Sequence, residues 1–327
     1  MYYKCNQCGA PLTYSPEKKA MYCGHCDGIN TEALTPGSSG AQCTNCGAPL
    51  TIKPYASAMQ CEHCGCYLIL DEGVSGQYQP HLILPFSVGR ESAKDIIKNH
   101  LKSNTFLPSG FVKEANLNTI EGEYVPFWLF DYQANFNYEA KATRVRHWTS
   151  GDTAYTETSV YMLYRNMDID YQLIPADASK AMDDKKMDLV EPYDYSALTK
   201  FDTKYMSGFT AEVYNFYANE LEPRAREKAA SYSKKLMDDT VSGYASVTPV
   251  VQDLLINTTA QNYALMPVWA YRYTYDNKIY EFFINGQTGK IVGEAPVSKP
   301  KAFLYSAFMF LSLTAILFLG WAILEVL

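Results

Sequence analysis

The cysteine spacing of this chain constrains its fold more than any other feature. Eight of the nine cysteines form two copies of C-x2-C-x14-C-x2-C, and the letters CGAPLT recur at residues 8–13 and 46–51. Four thiolates at this spacing are typical of a tetrahedral Zn²⁺ site, with each sulfur about 2.3 Å from the metal. We therefore predict two zinc ribbons, over residues 1–34 and 41–70. The predicted ligands are Cys5, Cys8, Cys23 and Cys26 in the first ribbon, and Cys43, Cys46, Cys61 and Cys64 in the second.

The two predicted Zn²⁺ ions are structural. A ribbon of this size buries too little apolar surface to fold without the metal, and four cysteines leave no coordination position open for a substrate. Gly9 and Gly47 follow the first knuckles, where a tight turn favours glycine. His25 and His63 lie between paired cysteines and are predicted to be knuckle or surface residues. Cys66, the ninth cysteine, is predicted to be a free thiol beside the second site, with a substitute ligand as the alternative.

The C-terminal segment, residues 302–324, contains 23 residues without a charge. At about 1.5 Å per residue, a helix of this length spans a bilayer core of about 30 Å. Lys299 and Lys301 precede this segment. By the positive-inside rule, these lysines place the N-terminal flank of the helix in the cytoplasm. Tyr305 and Trp321 lie near its two ends. The sequence predicts a transmembrane helix; the alternative is a buried core helix.

The N-terminus favours the same orientation. The chain opens directly into a zinc knuckle without a signal peptide, and paired thiolates that hold zinc suit a reducing compartment. We therefore expect a single-pass protein of the cell membrane, with its N-terminal bulk in the cytoplasm and the lipid bilayer as a partner of the C-terminal helix.

Between the ribbons and this helix lies a predicted body, residues 80–298, long enough for one sizeable core. Residues 35–40 and 71–79 are predicted to be linkers. The letters YVPFWLF at residues 124–130 resemble LMPVWAY at 265–271. This resemblance suggests a duplicated strand unit in the body, although a coincidence of two aromatic strand starts would look the same.

Hydrophobic periodicity assigns the elements of the body. Alternating apolar and polar residues predict strands over residues 130–141, 167–173, 269–275 and 279–284. The first of these is a half-buried strand or a hairpin bent within that stretch. Apolar stripes predict helices over residues 91–101, 203–217 and 223–239. The last of these begins at Pro223, because proline is favoured at the first position of a helix. The predicted fold class is α+β, a mainly antiparallel sheet with packed helices.

Motifs of known catalytic mechanism are missing from the sequence. It has no G-x-x-x-x-G-K-[ST] phosphate loop, G-x-S-x-G elbow or H-E-x-x-H helix. His81, His100 and His147 are scattered without a nucleophile or a repeated carboxylate near them. The acidic pair Asp183-Asp184 precedes two lysines, and a solvated charged turn explains it better than a metal or phosphate site. We predict that the chain is not an enzyme; a catalytic or ligand-binding site in the body is the alternative.

The charges of the ribbons argue against direct nucleic-acid binding. Residues 1–70 carry four lysines and four acidic residues, no arginine occurs there, and the whole chain has a net charge of −7. Each Zn²⁺ held by four thiolates adds about −2 to the local charge. Affinity for a phosphate backbone requires clustered basic residues. A membrane-tethered nucleic-acid-binding regulator is therefore an alternative rather than the first expectation.

The ribbons, the letters EPYDYSALTKF at residues 191–201, YMSGFTAE at 205–212 and NGQTGK at 285–290 carry a family resemblance. Together they resemble the bacterial proteins labelled "TFIIB-type zinc ribbon-containing". Members are often labelled after the primosomal helicase, but this chain lacks the phosphate loop of a helicase. Some similar proteins are membrane-anchored and are encoded with phage-shock and SPFH-type envelope-stress proteins.

The resemblance implies zinc ligation by the eight paired cysteines, and it provides no catalytic residues. It also implies a scaffold that recruits SPFH-like or phage-shock-type partners to the membrane. The sequence therefore predicts a non-enzymatic, membrane-anchored zinc-ribbon adaptor that presents a protein-interaction surface to the cytoplasm.

Overall fold

The computed structural model describes residues 1–36, 41–114 and 117–326. Its architecture is α+β, with mainly antiparallel sheets, five helices among the described residues and the two cysteine-rich segments at the N-terminus, as the sequence predicts. The predicted linker over residues 35–40 lies partly outside the described residues.

The strands are short in the cysteine-rich region and very long in the body. They are β1 (Tyr2–Cys5), β2 (Thr13–Ser15), β3 (Ala20–Tyr22), β4 (Glu32–Thr35), β5 (Ala56–Gln60), β6 (Tyr67–Ile69), β7 (Leu82–Ile83), β8 (Glu121–Ser150), β9 (Thr153–Asp177), β10 (Thr199–Lys200), β11 (Thr210–Glu212), β12 (Ser246–Tyr275), β13 (Lys278–Asn285) and β14 (Ile291–Gly293). The helices are α1 (Arg90–Ser103), α2 (Ser109–Glu114), α3 (Asp184–Val190), α4 (Ala218–Thr240) and α5 (Lys299–Val326).

Three long strands form the centre of the main sheet. The strand β8 has 30 residues, roughly 100 Å of extended chain, and pairs antiparallel with β9 on one side and with β12 on the other. Near the start of β8 the sheet widens, because β12 also pairs with β13 and β7 there, and β11, β5 and β6 follow beside β8. The two segments with similar letters, residues 124–130 and 265–271, are neighbours in β8 and β12.

Beyond the wide part, the three strands continue as a narrow extension that we call the arm. The arm consists of Phe136–Ser150 of β8, Thr153–Met167 of β9 and Ser246–Leu254 of β12. The helix α4 covers one face of it, where Met237 and Val241 pack on alternate residues of β8. The opposite face has no helix over it among the described residues, and the strand ends are joined by a tight turn at Gly151 and Asp152.

The wide part of the sheet, which we call the base, is buried on both faces. On one face, Phe86 stacks on Phe209 at 4.0 Å between ring centroids and also contacts Tyr124 and Trp269. On the other face, α3 packs its Met187 against the sheet. Because both faces are covered, the strands of the base are apolar in consecutive residues, and simple alternation holds only farther along β8.

The prediction of a helix over residues 203–217 is wrong. The structure has a 3-10 turn, Thr203–Met206, followed by the strand β11. Gly208 separates them with a φ of +102°, which a helix does not accommodate. This segment lies between the first ribbon and the sheet, and its apolar side chains are buried on both sides. Their spacing in the sequence therefore resembles the apolar stripe of a helix, although the backbone is not helical.

Two further boundaries differ from the prediction. The helix α4 begins at Ala218, and Pro223 is its sixth residue. The Glu220 side chain accepts a hydrogen bond from the Tyr217 backbone N–H at 2.6 Å, which fixes the start of the helix before the proline. The predicted linker over residues 71–79 is instead folded into two 3-10 turns, with Val74 buried between them.

The helix α5 is long and apolar enough to cross a bilayer, and none of its most apolar window is buried. The start of this helix contacts the loop that follows α1. The Lys301 side chain donates to the Leu107 carbonyl at 2.7 Å, Ser298 donates its backbone N–H to the Phe106 carbonyl, and the Phe106 and Tyr305 rings meet edge to face at 5.4 Å. The described remainder of the helix is largely exposed, which disfavours the alternative of a buried core helix.

Candidate metal centres

The first group of four cysteines comes together around one point. The Sγ atoms of Cys5, Cys8, Cys23 and Cys26 all lie within 4.8 Å of one another. The Cys5 and Cys26 sulfurs are 3.6 Å apart, and those of Cys8 and Cys23 are 3.5 Å apart. A disulfide would require about 2.05 Å, whereas four sulfurs at about 2.3 Å from a tetrahedral metal lie about 3.8 Å apart. The sulfur positions therefore fit a four-thiolate metal site.

The second group repeats this arrangement. The Sγ atoms of Cys43, Cys46, Cys61 and Cys64 also lie within 4.8 Å of one another. The Cys43 and Cys64 sulfurs are 3.7 Å apart, and those of Cys46 and Cys61 are 3.9 Å apart. In both groups the first cysteine of each C-x2-C pair is buried and the second is exposed. Each site is thus anchored on its inner side and faces solvent on its outer side.

The knuckles show why the C-x2-C-G pattern folds this way. The backbone N–H of Gly9 donates to the Cys5 carbonyl at 2.8 Å, and that of Gly47 donates to the Cys43 carbonyl at the same distance. Their φ angles are +77° and +75°, in the left-handed region that favours glycine. The prediction that these glycines form tight turns after the first knuckles is confirmed.

The neighbouring histidines and the ninth cysteine lie outside the two groups. His25 and His63 are exposed on the knuckles, and neither belongs to a ligand group. Cys66 is 3% exposed, and its Sγ contacts the Tyr67 carbonyl oxygen at 3.6 Å. Burial, together with the nearby thiolates, raises the pKa of the Cys66 thiol to about 12. The burial of Cys66 and its place outside the four-sulfur group agree with the prediction of a free cysteine rather than a ligand.

The first ribbon packs directly on the base. The Tyr14 N–H donates to the Ser207 carbonyl at 2.7 Å, and the Ser207 hydroxyl donates to the Leu12 carbonyl at 2.7 Å. The rings of Tyr14 and Tyr205 meet edge to face at 5.1 Å. The buried residues of this ribbon belong to the same hydrophobic core as the base. The ribbon is thereby held in a fixed orientation relative to the sheet.

The second ribbon is part of the main sheet itself. Its strand β5 pairs with β6 and with β11, which is the strand beside β8. The chain start joins it as well, because the Met1 amino group donates to the Ile69 carbonyl at 2.7 Å. Tyr2 packs against the inner cysteines Cys43 and Cys61. The two ribbons therefore contact each other as well as the base.

Sequence reasoning missed an ion-pair network at the joint of α3, α4 and β9. Arg224 contacts Asp177 at 3.1 Å and Asp188 at 2.7 Å, and Lys228, one helical turn later, contacts Asp188 at 2.7 Å. Burial raises the pKa of the Asp177 carboxyl to about 7, and Arg224 opposes this rise. The spacing of the two basic residues on α4 was the available signal. The network joins α3, α4 and β9 of the fold.

The acidic pair in front of α3 has structural partners. Asp183 accepts a hydrogen bond from the Lys186 N–H at 2.9 Å and so caps the helix, and Asp184 lies 3.1 Å from Arg224. Within the described residues, neither belongs to a group suited to hold a metal. The charged turn thus serves to start a helix and to extend the network.

A cavity of about 590 Å³ lies between the second ribbon and the base. Its lining includes Lys53, Tyr67, Glu123, Glu212 and Arg272. The Arg272 guanidinium donates to the Glu123 carboxylate at 2.7 Å, and burial raises the pKa of Glu212. Glu123 and Arg272 are thus paired with each other in the cavity wall, and Glu212 accepts a hydrogen bond from the Ser179 hydroxyl at 2.8 Å.

The chain is similar along most of its length to a protein of Bacillus subtilis. It is 38% identical over 312 residues to the "Uncharacterized protein YdjG" of strain 168, and the alignment covers 91% of each chain. No protein-family model matches the chain. No solved structure matches it either.

Proposed function

The chain belongs to the family of YdjG of Bacillus subtilis, and we propose that it is a membrane-anchored zinc-binding adaptor. Its two ribbons present a protein-interaction surface in the cytoplasm, and α5 holds that surface at the cell membrane. It acts without catalysis. The observation that carries the proposal is the pair of four-cysteine groups with solvent-facing knuckles, fixed on the same body as an apolar helix that none of the described core buries.

Zinc is the metal we assign to both groups. All-thiolate tetrahedral sites select zinc or iron–sulfur chemistry, and the ribbon spacing with its glycine-turned knuckles favours a single zinc ion at each site. With four protein ligands, a zinc ion here supplies folding free energy rather than Lewis-acid chemistry. In the second ribbon, the inner cysteines are buried against Tyr2 of the first ribbon. The metal therefore also fixes the contact between the two ribbons.

The membrane assignment rests on α5 and its first residues. Lys299 and Lys301 flank the apolar segment on the side of the body, which favours a cytoplasmic body. Lys301 and Tyr305 contact the loop at Phe106 and Leu107, so the base of the protein stands directly at the membrane surface. A flexible tether would leave the orientation of the ribbons undefined, whereas these contacts restrict it.

The outer knuckles are the surface that we assign to partner binding. Gly24 and His25 in the first ribbon, and Glu62 and His63 in the second, are exposed next to the outer cysteines. The net negative charge that four thiolates around each Zn²⁺ give the ribbons disfavours nucleic acid as the partner. The resemblance to zinc-ribbon proteins encoded with envelope-stress proteins supports SPFH-like or phage-shock-type proteins as the partners.

The test is in-cell crosslinking of the full-length chain, followed by detergent extraction, affinity capture and mass spectrometry. We expect an SPFH-like or phage-shock-type membrane protein in the capture. The double variant Cys43→Ser/Cys46→Ser should lose that protein and remain in the membrane. Cys66→Ser is the matched control, because it removes a buried thiol beside the same site without removing a ligand.

A second pair of variants separates contact from folding. His63→Ala leaves the cysteines of the second site in place, and His25→Ala makes the same change in the first ribbon. Loss of the partner with only one of them identifies the ribbon that binds. Unchanged capture in the double cysteine variant contradicts the proposal, as does a capture that contains only nucleic acid and nucleoid proteins.

A further inference from the structure

In the described structure the arm has two unpaired strand edges, and only one of them is protected against pairing with another chain. In the arm β8 is the central strand, so β9 and β12 each have one free side among the described residues. Free strand edges invite pairing with another chain, and proteins commonly protect them with proline, bulges or charges. The two edges of this arm differ in such protection.

The edge formed by β12 is protected. Pro249 lies within it, and the register with β8 shifts between Pro249 and Val251. Proline cannot donate to a ladder, and a bulge twists the edge away from a partner. A charged residue, Asp253, follows two positions later. Another strand would therefore pair poorly along this side of the arm.

The edge formed by β9 is open. From Thr153 to Met167 its register with β8 is continuous, and the segment contains no proline or glycine. Residues 159–164, with the letters SVYMLY, carry no charge, and three of the six are of strand-forming types, namely Val160, Tyr161 and Tyr164. Val160, Met162 and Tyr164 are 57%, 48% and 64% exposed, on the face of the arm that α4 does not cover.

The charges of this edge are arranged symmetrically. Between Thr153 and Met167 the only charged residues are Glu157 and Arg165, and each lies four positions from Tyr161. Neither forms an ion pair within the part of the chain that the structure describes. Antiparallel pairing of two such strands around Tyr161 would bring each glutamate opposite an arginine.

We propose that the β9 edge of the arm binds the β9 edge of a second copy of this chain, antiparallel and with Tyr161 on the two-fold axis. In this register Glu157 faces the partner's Arg165, and Val160 faces the partner's Met162, each twice. The two three-stranded arms become one six-stranded sheet. A two-fold arrangement of this kind needs one self-complementary surface, which the spacing of the two charges provides.

This pairing sets the orientation of the arms at the membrane. The two bases lie at opposite ends of the shared sheet, because paired strands run antiparallel. Both copies of α5 enter the same bilayer only when the arms lie along the membrane surface. The dimer does not depend on the adaptor function or on the identity of the metal, so either could fail without the other.

The register is tested by disulfide crosslinking in native membranes that contain two differently tagged full-length copies. One copy carries Glu157→Cys and the other Arg165→Cys, which places the new thiols directly opposite, with Cβ atoms about 5 Å apart. Mild oxidation should give a crosslinked dimer that carries both tags. In the control, both copies carry Glu157→Cys; the thiols are then eight residues out of register, roughly 26 Å, and should not crosslink.

Equal crosslinking in the control, or none in the mixed sample, overturns the proposed register. A crosslink to a different protein in place of the second copy overturns the identity of the partner.

A charge reversal provides a second, independent measurement. Arg165→Glu places two like-charged pairs at the edge and should weaken the dimer roughly tenfold, because each cross-strand charge pair contributes up to about a factor of five. Lys141→Glu makes the same change on the central strand, away from the edge, and should leave dimerisation unchanged. The readout is the dimer fraction of the detergent-solubilised full-length chain in analytical ultracentrifugation. Equal weakening by both variants contradicts the proposal.

Discussion

Gly208 provides a direct test of how firmly the first ribbon is held on the base. Its φ is +102°, and a Cβ added there would lie 2.9 Å from the Cβ of Thr13, in the hairpin of the first ribbon. Such a distance is too short for two carbon atoms, and Thr13 Cβ sits next to the backbone of β2, so the ribbon itself has to shift. Gly208→Ala is the smallest change that creates this contact.

The expected destabilisation has two parts. An alanine at this φ costs about 1–3 kcal/mol in backbone strain, and the overpacking against Thr13 costs about another 1–3 kcal/mol. Gly243→Ala is the matched control, because Gly243 has a similar φ of +90° and no atom within 4 Å of an added Cβ. It should show the backbone cost alone. The difference between the two variants therefore measures the contact between ribbon and base.

The assay is urea unfolding of the detergent-solubilised full-length chain, followed by tryptophan fluorescence, with metal content measured alongside. Gly208→Ala should lower the free energy of unfolding by about 1–3 kcal/mol more than Gly243→Ala, with unchanged metal content. Equal losses of unfolding free energy in the two variants would refute the rigid docking of the first ribbon. The added methyl group would then make no close contact with Thr13.

Three further predictions concern the charge network, the anchor and the ninth cysteine. Between pH 5 and pH 8 the unchanged chain should lose roughly 2–3 kcal/mol of its free energy of unfolding through the ionisation of Asp177. Asp177→Asn should not show this loss. The folded pKa of Asp177 is about 7, above its unfolded value, so its contribution to stability falls as the pH rises from about 4 to about 7; urea unfolding at both pH values measures this, and parallel curves would contradict it. Phe106→Ala removes the ring contact with Tyr305 and should increase protease cleavage between the base and α5 without releasing the chain from membranes. Cys66→Ser should keep the metal content of the unchanged chain, as measured by elemental analysis, because the Cys66 sulfur lies outside the group of four cysteines that could hold the metal.

The sequence predicted the features that are governed by local chemistry. The cysteine spacing located both four-sulfur groups, and the glycines after Cys8 and Cys46 marked the knuckle turns. The uncharged run before Leu324 located the apolar helix. The alternation over residues 130–141 predicted a strand correctly, because that stretch of β8 has one face under α4 and the other in solvent.

The features that depend on distant contacts were missed. The stripe that includes Met206 and Phe209 suggested a helix, but those side chains are buried between a ribbon and a sheet that lie far apart in sequence. The start of α4 depends on Glu220 rather than on Pro223. Nor did any local pattern indicate that the second ribbon would join the sheet, since β11 pairs with β5, about 150 residues earlier in the chain, and with β8, about 90 residues earlier.

Elemental analysis of the full-length chain, in membranes that have been washed with alkaline carbonate, tests the membrane anchor and the bound metal together. The wash removes peripheral proteins and leaves proteins with a membrane-spanning helix, so a single sample reports both the anchor and the metal. We predict that the chain stays in the washed membranes and carries two zinc ions per chain. Release of the chain by the wash, or a chain without zinc in the washed membranes, would contradict the proposal of a membrane-anchored zinc protein.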